Sequence, residues 1–325
     1  MKTKWKLYIG LLLTVIIAGC TADDGIDSEI VQTEAIEMTG FKAVIEGDAA
    51  AGTRDPAALA IELGRANFVA NDQVVFTQIK RTTDPIETYT YSNKEFSFNG
   101  STWSKITDGN LYWSDATNPH TFIAYSNPQG TFDWTESEGV YSGTIGDGGT
   151  GEQVSFSSLE DLKNEDLLIA YSTTMTANSG SVPLVEFHHA LSSVRVEVHL
   201  ENFPSGSGAT VTDMMLLHQP TKYVWDQTSW GVSPVTTDQI RKNLKLYIPT
   251  PAGVSNEFTF YGITTPQNST YIAEQEGDNQ KAELTFKVNY TESETAKTQN
   301  YSISQSNVYF EAGYNTTITI RASKN

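Results

Sequence analysis

Residues 184–200 read "LVEFHHALSSVRVEVHL", and this stretch decides the fold class. From Val194 to Leu200 apolar residues alternate with polar ones, which is the period of a β-strand with one buried face. Neighbours on a strand point to opposite faces, so His188 and His189 are not expected to bind one metal ion together. We expect one of these histidines to pack under a sheet and to make a structural hydrogen bond.

Similar short runs, separated by Gly, Pro, Asn and Asp, recur after Asn71, and helical periodicity is scarce. This spacing predicts an all-β protein with two antiparallel β-sandwich domains in tandem. Residues 159–168 have room for one helical turn. Strands are predicted near residues 72–81, 86–100, 101–106, 111–115, 120–126, 153–158, 166–173, 184–200, 208–218, 244–251, 256–265, 281–290 and 307–322.

The small, polar stretch "ANSGSVP", residues 177–183, is the best internal boundary. We therefore divide the chain into a leader over 1–19, a tether and first strand over 20–54, an N-terminal β-sandwich over 55–178 and a C-terminal β-sandwich over 179–325. No repeat of 20–50 residues is visible, so the sequence does not support a solenoid or a propeller.

The composition bears on the partners and the chemistry of the chain. Its 325 residues include 39 Asp and Glu against 21 Lys and Arg, a net charge of -18. Such a chain repels phosphates, so nucleic acid is not expected as a partner. No G-x-S-x-G, H-E-x-x-H or P-loop motif and no zinc-ligand spacing is present. We therefore expect no enzyme activity, no catalytic residue, no metal ion and no cofactor.

The first twenty residues, "MKTKWKLYIGLLLTVIIAGC", have the pattern of a lipoprotein leader. Three lysines precede an apolar run from Leu7 to Ile17, which is too short to cross a bilayer core of roughly 30 Å. The run ends in Ile17-Ala18-Gly19-Cys20, which is similar to a lipobox. Cys20 is therefore predicted to carry a lipid that anchors the chain in the outer membrane. The alternative is an ordinary secretory signal with a chance cysteine.

The stretch "AIEMTGFKAVIEG", residues 35–47, has strand character in two phases. The phase changes at Gly40, which suggests a bulge or a bend. The apolar side chains of this predicted first strand are Ile36 and Met38 in one phase and Phe41, Ala43 and Ile45 in the other.

A lone arginine follows in "AAGTRDPAALA", residues 49–59. Between the leader and Gly64 the only other basic residue is Lys42. An arginine in this setting suits a protease that cuts between Arg54 and Asp55. The alternative is an ordinary exposed loop residue.

Four segments together resemble, in this order, the fimbrillin family, whose members are subunits of type V pili of Gram-negative anaerobes. They are "LYWSDATNPHTFIAYSNP", "DLLIAYST", "VPLVEFHHALSSVRVEV" and "FEAGYNTTITI". The resemblance implies a non-enzymatic lipoprotein with two transthyretin-like β-sandwiches, located in the fimbrium at the cell surface. It also implies cleavage at an arginine, here Arg54, which releases the first strand. A strand from another pilus subunit then fills the groove, and the filament adheres to a glycan or protein on a host or bacterial surface.

The end of the chain carries a candidate donor or terminal strand, "GYNTTITIR". Tyr314, Ile318 and Ile320 share one face, with Thr316 between them. If this strand belongs to its own sandwich, the chain suits a tip or accessory position better than a stalk position.

The alternative from another class is a monomeric, surface-anchored lipoprotein that binds glycans. It predicts an exposed, coplanar aromatic platform for sugar rings. The candidate residues are Trp103, Trp113, Trp134, Trp225 and Trp230.

Overall fold

The structure is a computed structural model. It describes residues 36–38, 40–45, 67–81, 88–107, 110–126, 133–135, 140–146, 151–177, 182–204, 206–226, 231–235, 241–249, 256–267, 281–306 and 308–324. The predicted leader, the lipidation residue Cys20 and the cleavage pair Arg54 and Asp55 lie outside the described residues.

Most of the described chain is β-strand, which confirms the predicted all-β class. The described helix, α1 (Leu159–Glu165), lies where one helical turn was predicted. No helix within the described ranges has the length and apolar character needed to span a membrane. The strands are β1 (Ile36–Glu37), β2 (Lys42–Ile45), β3 (Gln73–Arg81), β4 (Thr88–Phe98), β5 (Trp103–Lys105), β6 (Tyr112–Trp113), β7 (His120–Ser126), β8 (Asp133–Thr135), β9 (Val140–Thr144), β10 (Gln153–Ser155), β11 (Leu168–Met175), β12 (Leu184–His189), β13 (Ser192–Glu201), β14 (Thr210–Pro220), β15 (Lys222–Trp225), β16 (Ser233–Pro234), β17 (Arg241–Lys245), β18 (Glu257–Thr264), β19 (Lys281–Glu292), β20 (Thr295–Ser306) and β21 (Asn315–Ser323).

The largest sheet has seven strands in the order β2-β12-β11-β7-β3-β4-β5. Its central strands are buried on both faces, because successive side chains point to opposite sides of a sheet. On β3, Val74 and Phe76 enter one apolar cluster and Val75 enters another. We call these clusters the first core, which contains Phe41, Phe76, Phe96, Phe122 and Phe187, and the second core, which contains Val196, Trp225, Phe260 and Phe286.

The second core lies largely between two further sheets. One has five strands in the order β10-β17-β14-β19-β20, and the other has three in the order β18-β13-β21. The alternation predicted for residues 194–200 is present in β13, whose residues Val194, Val196 and Val198 are buried while Arg195 and Glu197 are partly exposed. A period of two therefore places one face of β13 in the second core.

Three strand pairs are parallel, which differs from the prediction of antiparallel sheets. They are β2 with β12, β10 with β17 and β13 with β21, whereas the other described pairs between strands are antiparallel. Alternation of apolar residues is the same in both arrangements, so the sequence pattern did not reveal them. Strands β15 and β20 were also missed, because their sequences "KYVW" and "TAKTQNYSISQS" are short or largely polar.

Several pairs join residues on the two sides of the predicted boundary between 178 and 179. Strand β12 lies in the seven-stranded sheet beside β11, β9 pairs with β15, and β10 pairs with β17. The division into sandwiches over 55–178 and 179–325 stays a prediction.

Helix α1 begins at a capping box. The Ser158 hydroxyl accepts a hydrogen bond from the backbone N–H of Asp161 at 3.1 Å, and the Asp161 carboxylate accepts one from the backbone N–H of Ser158 at 3.1 Å. Two donors that the helix leaves without an internal partner are thereby satisfied. Leu162 anchors this helix in the second core.

Gly143 provides a test of the packing between β9 and β15. It lies directly opposite Tyr223, and a Cβ atom at residue 143 would come within 2.5 Å of the buried Tyr223 ring. We expect Gly143→Ala to lower the free energy of unfolding by about 1–3 kcal/mol, because a buried ring has little room to shift. Denaturant unfolding measures this. Gly151→Ala is the control, since the nearest atom to a Cβ there, the Gln153 carbonyl oxygen, is 3.9 Å away; equal losses in both variants would contradict the expectation.

Candidate functional site

The predicted first strand is split into β1 and β2, which dock on different elements. In β1, Ile36 pairs with Trp113 of β6, and the backbone N–H of Met38 donates to the Leu111 carbonyl at 2.8 Å. In β2, the backbone pairs in parallel with β12, from Lys42 opposite Leu184 to Ile45 opposite Phe187. Gly40 lies between the two strands.

Most of the apolar side chains described in this segment face the first core. Met38, Phe41 and Ile45 are buried, with exposed fractions of 6%, 7% and 7%, and Ala43 is half-buried against the same cluster. Of Ile36 only the backbone pairing is described. The structure therefore gathers four of the five predicted first-strand residues on one apolar surface, and whether the strand is removed stays a prediction.

Phe41 makes the most extensive aromatic contacts of the segment. Its ring meets Phe76 at 4.9 Å and Phe96 at 5.1 Å edge-on, and it stacks on Trp103 at 5.5 Å. Edge-to-face and offset-stacked rings attract each other beyond the effect of area burial alone. Phe41 therefore anchors a terminal strand of the seven-stranded sheet in the first core.

The opposite face of β2 is open to solvent. Val44 and Lys42 are exposed, and so is Leu184 on the neighbouring strand β12. Strand β2 is the last strand of its sheet, so its removal would leave the backbone edge of β12 without a partner on that side.

A polar network holds the loop that follows β6, where β1 docks. Arg81 donates to Asp115 Oδ2 at 2.9 Å, and the backbone N–H groups of Thr117 and Asn118 donate to Asp115 Oδ1 at 2.8 Å and 2.6 Å. Burial alone would raise the pKa of Asp115, but the hydrogen bonds from Arg81, Asn118 and Thr117 hold this pKa well below its usual range. The loop is therefore fixed by a carboxylate that stays ionised.

His120 also stabilises this region, through contacts with Ser114 and Trp113. Its Nε2 atom lies 2.8 Å from the Ser114 hydroxyl, and its ring meets Trp113 edge-on at 5.2 Å. Trp113 is buried and contacts Phe122 of the first core. The element that receives β1 is thus packed against the same core as β2.

The two adjacent histidines on β12 lie on opposite faces. His189 is buried and its Nδ1 atom lies 2.9 Å from the Asp166 carboxylate, while His188 is half-buried on the other face. The structural hydrogen bond that we expected for one of these histidines is therefore present. Within the described ranges, His, Cys, Asp and Glu form no group of three that could hold a metal ion.

The terminal strand β21 pairs in parallel with β13, from Asn315 opposite Ser193 to Ser323 opposite Glu201. Ile318 and Ile320 are buried in the second core, and Thr316 donates to the Tyr309 carbonyl at 2.6 Å. The Tyr314 carbonyl accepts from the backbone of Ser193 at 3.1 Å. The strand is thus bound within its own sheet, and its use as a donor stays a prediction.

The described tryptophans do not form a common platform. Trp113 and Trp225 are buried, and Trp103 is partly buried beneath the stack with Phe41. Trp134 lies in β8, where its side chain is not described, and Trp230 lies outside the described residues. A coplanar aromatic surface is therefore not assembled from the described members of this set.

The sequence analysis did not identify the polar residues that hold the site in place. Asp115 had a local signal, because Asp followed by Thr and Asn within "SDATN" is typical of a side chain that caps its own turn. Arg81 had none, because 34 residues separate it from Asp115. The pairing of Asp166 with His189, across 23 residues, likewise depends on the sheet that brings β11 and β12 together.

Phe41→Ala tests the anchor. Removing a buried phenyl ring from a packed core leaves a cavity, so we expect the free energy of unfolding to fall by about 3–5 kcal/mol. Val44→Ala is the matched control three residues further along the chain, because Val44 is 39% exposed, and it should change stability by less than about 1 kcal/mol. Chemical denaturation compares the two; a loss at residue 41 no larger than that at residue 44 would show that Phe41 is no anchor.

Asp115→Asn tests the charged network through pH. The folded pKa of Asp115 lies below the ordinary value of 3.8, so its stabilisation is present above that pH and is lost as the pH falls through the folded pKa. We expect a loss of about 1.5–3 kcal/mol at pH 7 that shrinks below about pH 4. Glu160→Gln, at an exposed ion pair with Lys163, should cost less than about 0.5 kcal/mol. A pH-independent loss at residue 115 would contradict the assignment.

Comparisons with known proteins agree on one family. The fimbrillin-like family model matches residues 63–325. In fold, the chain is similar to a candidate cell adhesion protein from Bacteroides ovatus, with 15% identity, a TM-score of 0.50 and coverage of 87% of this chain and 91% of that one.

Two further structures are similar at lower scores. A candidate cell adhesion protein from Bacteroides uniformis is 18% identical, with a TM-score of 0.45 and coverage of 79% of this chain and 88% of that one. A fimbrial protein from Bacteroides ovatus is 14% identical, with a TM-score of 0.39 and coverage of 89% and 50%. The comparison with curated proteins found no match. The chain belongs to the fimbrillin-like family, which consists of structural, adhesive proteins of cell-surface fimbriae.

Proposed function

We propose that the chain is a structural and adhesive subunit of a pilus that assembles by donor-strand exchange. In this proposal the protein is exported as a lipoprotein anchored through Cys20 to the outer membrane and is cleaved between Arg54 and Asp55. Its body corresponds to two transthyretin-like β-sandwiches. Other pilus subunits are its assembly partners, and a glycan or protein on a host or bacterial surface is the adhesion partner.

One observation carries this proposal: β1 and β2 complete the first core from the edge of a sheet. Met38, Phe41 and Ile45 fill an apolar surface formed by residues that lie beyond position 70, including Phe76, Phe96 and Phe187. Burial of three such side chains contributes a gross free energy of about 5–9 kcal/mol. Loss of the segment would expose this surface together with the open backbone edge of β12.

An exposed edge with an apolar groove beside it is a template for strand addition. A strand from another subunit would restore the ladder with β12 and would place apolar side chains where Phe41 and Ile45 lie. Because the incoming strand belongs to a different chain, repetition of this contact is heterologous and builds a filament rather than a closed ring.

The placement of β21 favours a role as acceptor. This strand pairs along its whole length with β13, and Ile318, Ile320 and Ala322 are buried in the second core. Its release would expose these residues and break its own sheet. We therefore propose a tip or accessory position, in which the subunit receives a strand and keeps β21.

Limited proteolysis tests cleavage and strand loss separately. The substrate is residues 20–325 with Cys20→Ser, which cannot be lipidated, and the enzyme is an arginine-specific protease. We expect one cut with Asp55 as the new N-terminus. Arg54→Ala should resist, and Arg65→Ala, which alters the next arginine along the chain, should still be cut.

The cut protein then shows whether the groove binds an added strand. A synthetic peptide of residues 35–46 should raise its melting temperature, whereas the same peptide with Phe41→Ala should have a much smaller effect. A cut without SDS-resistant ladders agrees with the acceptor role, and ladders would show that β21 or another strand is donated. Two results would overturn the proposal. One is resistance of the folded protein to cleavage at Arg54, and the other is a cut protein whose melting temperature does not rise with the peptide.

A further inference from the structure

Strand β20 forms one end of the five-stranded sheet. It pairs with β19 on one side, and no strand of the described chain pairs with the other. At 12 residues it is longer than β2, β5 and β10, which end their own sheets with four, three and three residues. A long open edge presents a row of backbone donors and acceptors to a partner.

This edge has few of the features by which monomeric sheets prevent edge pairing. The sequence "TAKTQNYSISQS" contains no proline and no glycine, and each of its residues pairs in unbroken register with β19, without a bulge. A tight turn fixes the hairpin, because Ser293 and Glu294 both have positive φ angles, 49° and 64°. Strand β20 is therefore a regular template without bulges.

The edge is also nearly uncharged. Lys297 is its one side chain that is charged at neutral pH, whereas the whole chain has a net charge of -18. Like charges that face each other across two strands are destabilising, so a strand with one lysine away from its centre tolerates its own copy.

The two faces of β20 define the strand that fits beside it. Tyr301 and Ile303 face the second core, where the Tyr301 ring stacks on Phe286 at 4.8 Å and its hydroxyl donates to the Ser323 carbonyl at 2.7 Å. Asn300 and Ser302 face solvent on the other side. A fitting partner strand therefore has apolar and polar residues in the same alternation.

A second copy of β20, antiparallel about a two-fold axis, meets this requirement. Residues directly opposite in an antiparallel pair share a face. With the axis at Asn300, polar residues oppose polar ones on the solvent face, where Thr298 lies opposite Ser302, and Lys297 lies opposite Ile303 rather than its own copy. The two strands then overlap over nearly their whole length.

We propose that the β20 edge pairs with β20 of a second copy, which joins two five-stranded sheets into one continuous sheet. The contact lies in the C-terminal part of the chain and uses neither β1 nor β2, so it does not depend on cleavage or strand exchange. The interface is isologous and closes after two copies. Since the backbone edge supplies most of it, we expect a dissociation constant between about 1 µM and 1 mM.

Sedimentation equilibrium of residues 20–325 with Cys20→Ser measures this association. Asn300→Lys places like charges near the two-fold axis and should raise the dissociation constant at least about tenfold. Thr285→Lys is the matched control, because Thr285 pairs with Ser302 on the same sheet but one strand in from the edge. Added salt should strengthen the wild-type dimer by screening the acidic copies from each other.

A cysteine at the edge identifies the contact directly. In the Cys20→Ser background, Asn300→Cys gives a chain with a single thiol, and opposed residues of an antiparallel pair have Cα atoms about 4.5–5.5 Å apart, within the range of a disulfide. We expect Asn300→Cys to form a covalent dimer on oxidation much faster than Thr285→Cys. Equal rates, a monomer at millimolar concentration, or a dimer unaffected by Asn300→Lys would overturn the proposal. Thermal unfolding of each variant shows that it is folded.

Discussion

Burial of the seven-stranded sheet on both faces is the constraint on which the remaining architecture depends. Successive side chains of its central strands point into different cores, so Val74 and Phe76 lie in the first core and Val75 lies in the second. A slip of one residue would exchange these sets, and register is therefore strongly specified. The second core is closed by the sheets that carry β13 and β14. The first core is closed partly by β1 and β2, which lie far from the rest of the chain in sequence.

Strand β12 connects these features. On one edge it accepts β2, on the other it pairs with β11, and its His189 contacts Asp166, two residues before β11. Its inner residues Val185 and Phe187 belong to the first core. The surface that would remain after loss of β2 is thus held by pairing, packing and a buried polar contact. Pre-organisation of this kind lowers the free-energy cost of binding an incoming strand.

The sheet edges at β12 and β20 differ in what lies beside them. The edge at β12 is covered by a segment of the same chain, whose Phe41 fills an aromatic pocket. The outer edge of β20 is regular and nearly uncharged, and no strand of the described residues pairs with it. Both edges offer backbone hydrogen bonds, but only the first adds a deep apolar site. A heterologous contact at the first and an isologous contact at the second would use separate surfaces, so they are compatible in one assembly.

Local patterns in the sequence determined the all-β class, most strand positions, the change of phase near Gly40 and the turn chemistry around Asp115. These features depend on period two and on residues a few positions apart, which a sequence displays directly. The tertiary structure decided which strands and which side chains pair with each other. Parallel pairing of β2 with β12, the ion pair of Arg81 with Asp115, and the strand character of the polar β20 all depend on partners distant in the chain. Alternation is identical in parallel and antiparallel sheets, and a polar edge strand gains its structure from the neighbour that it pairs with.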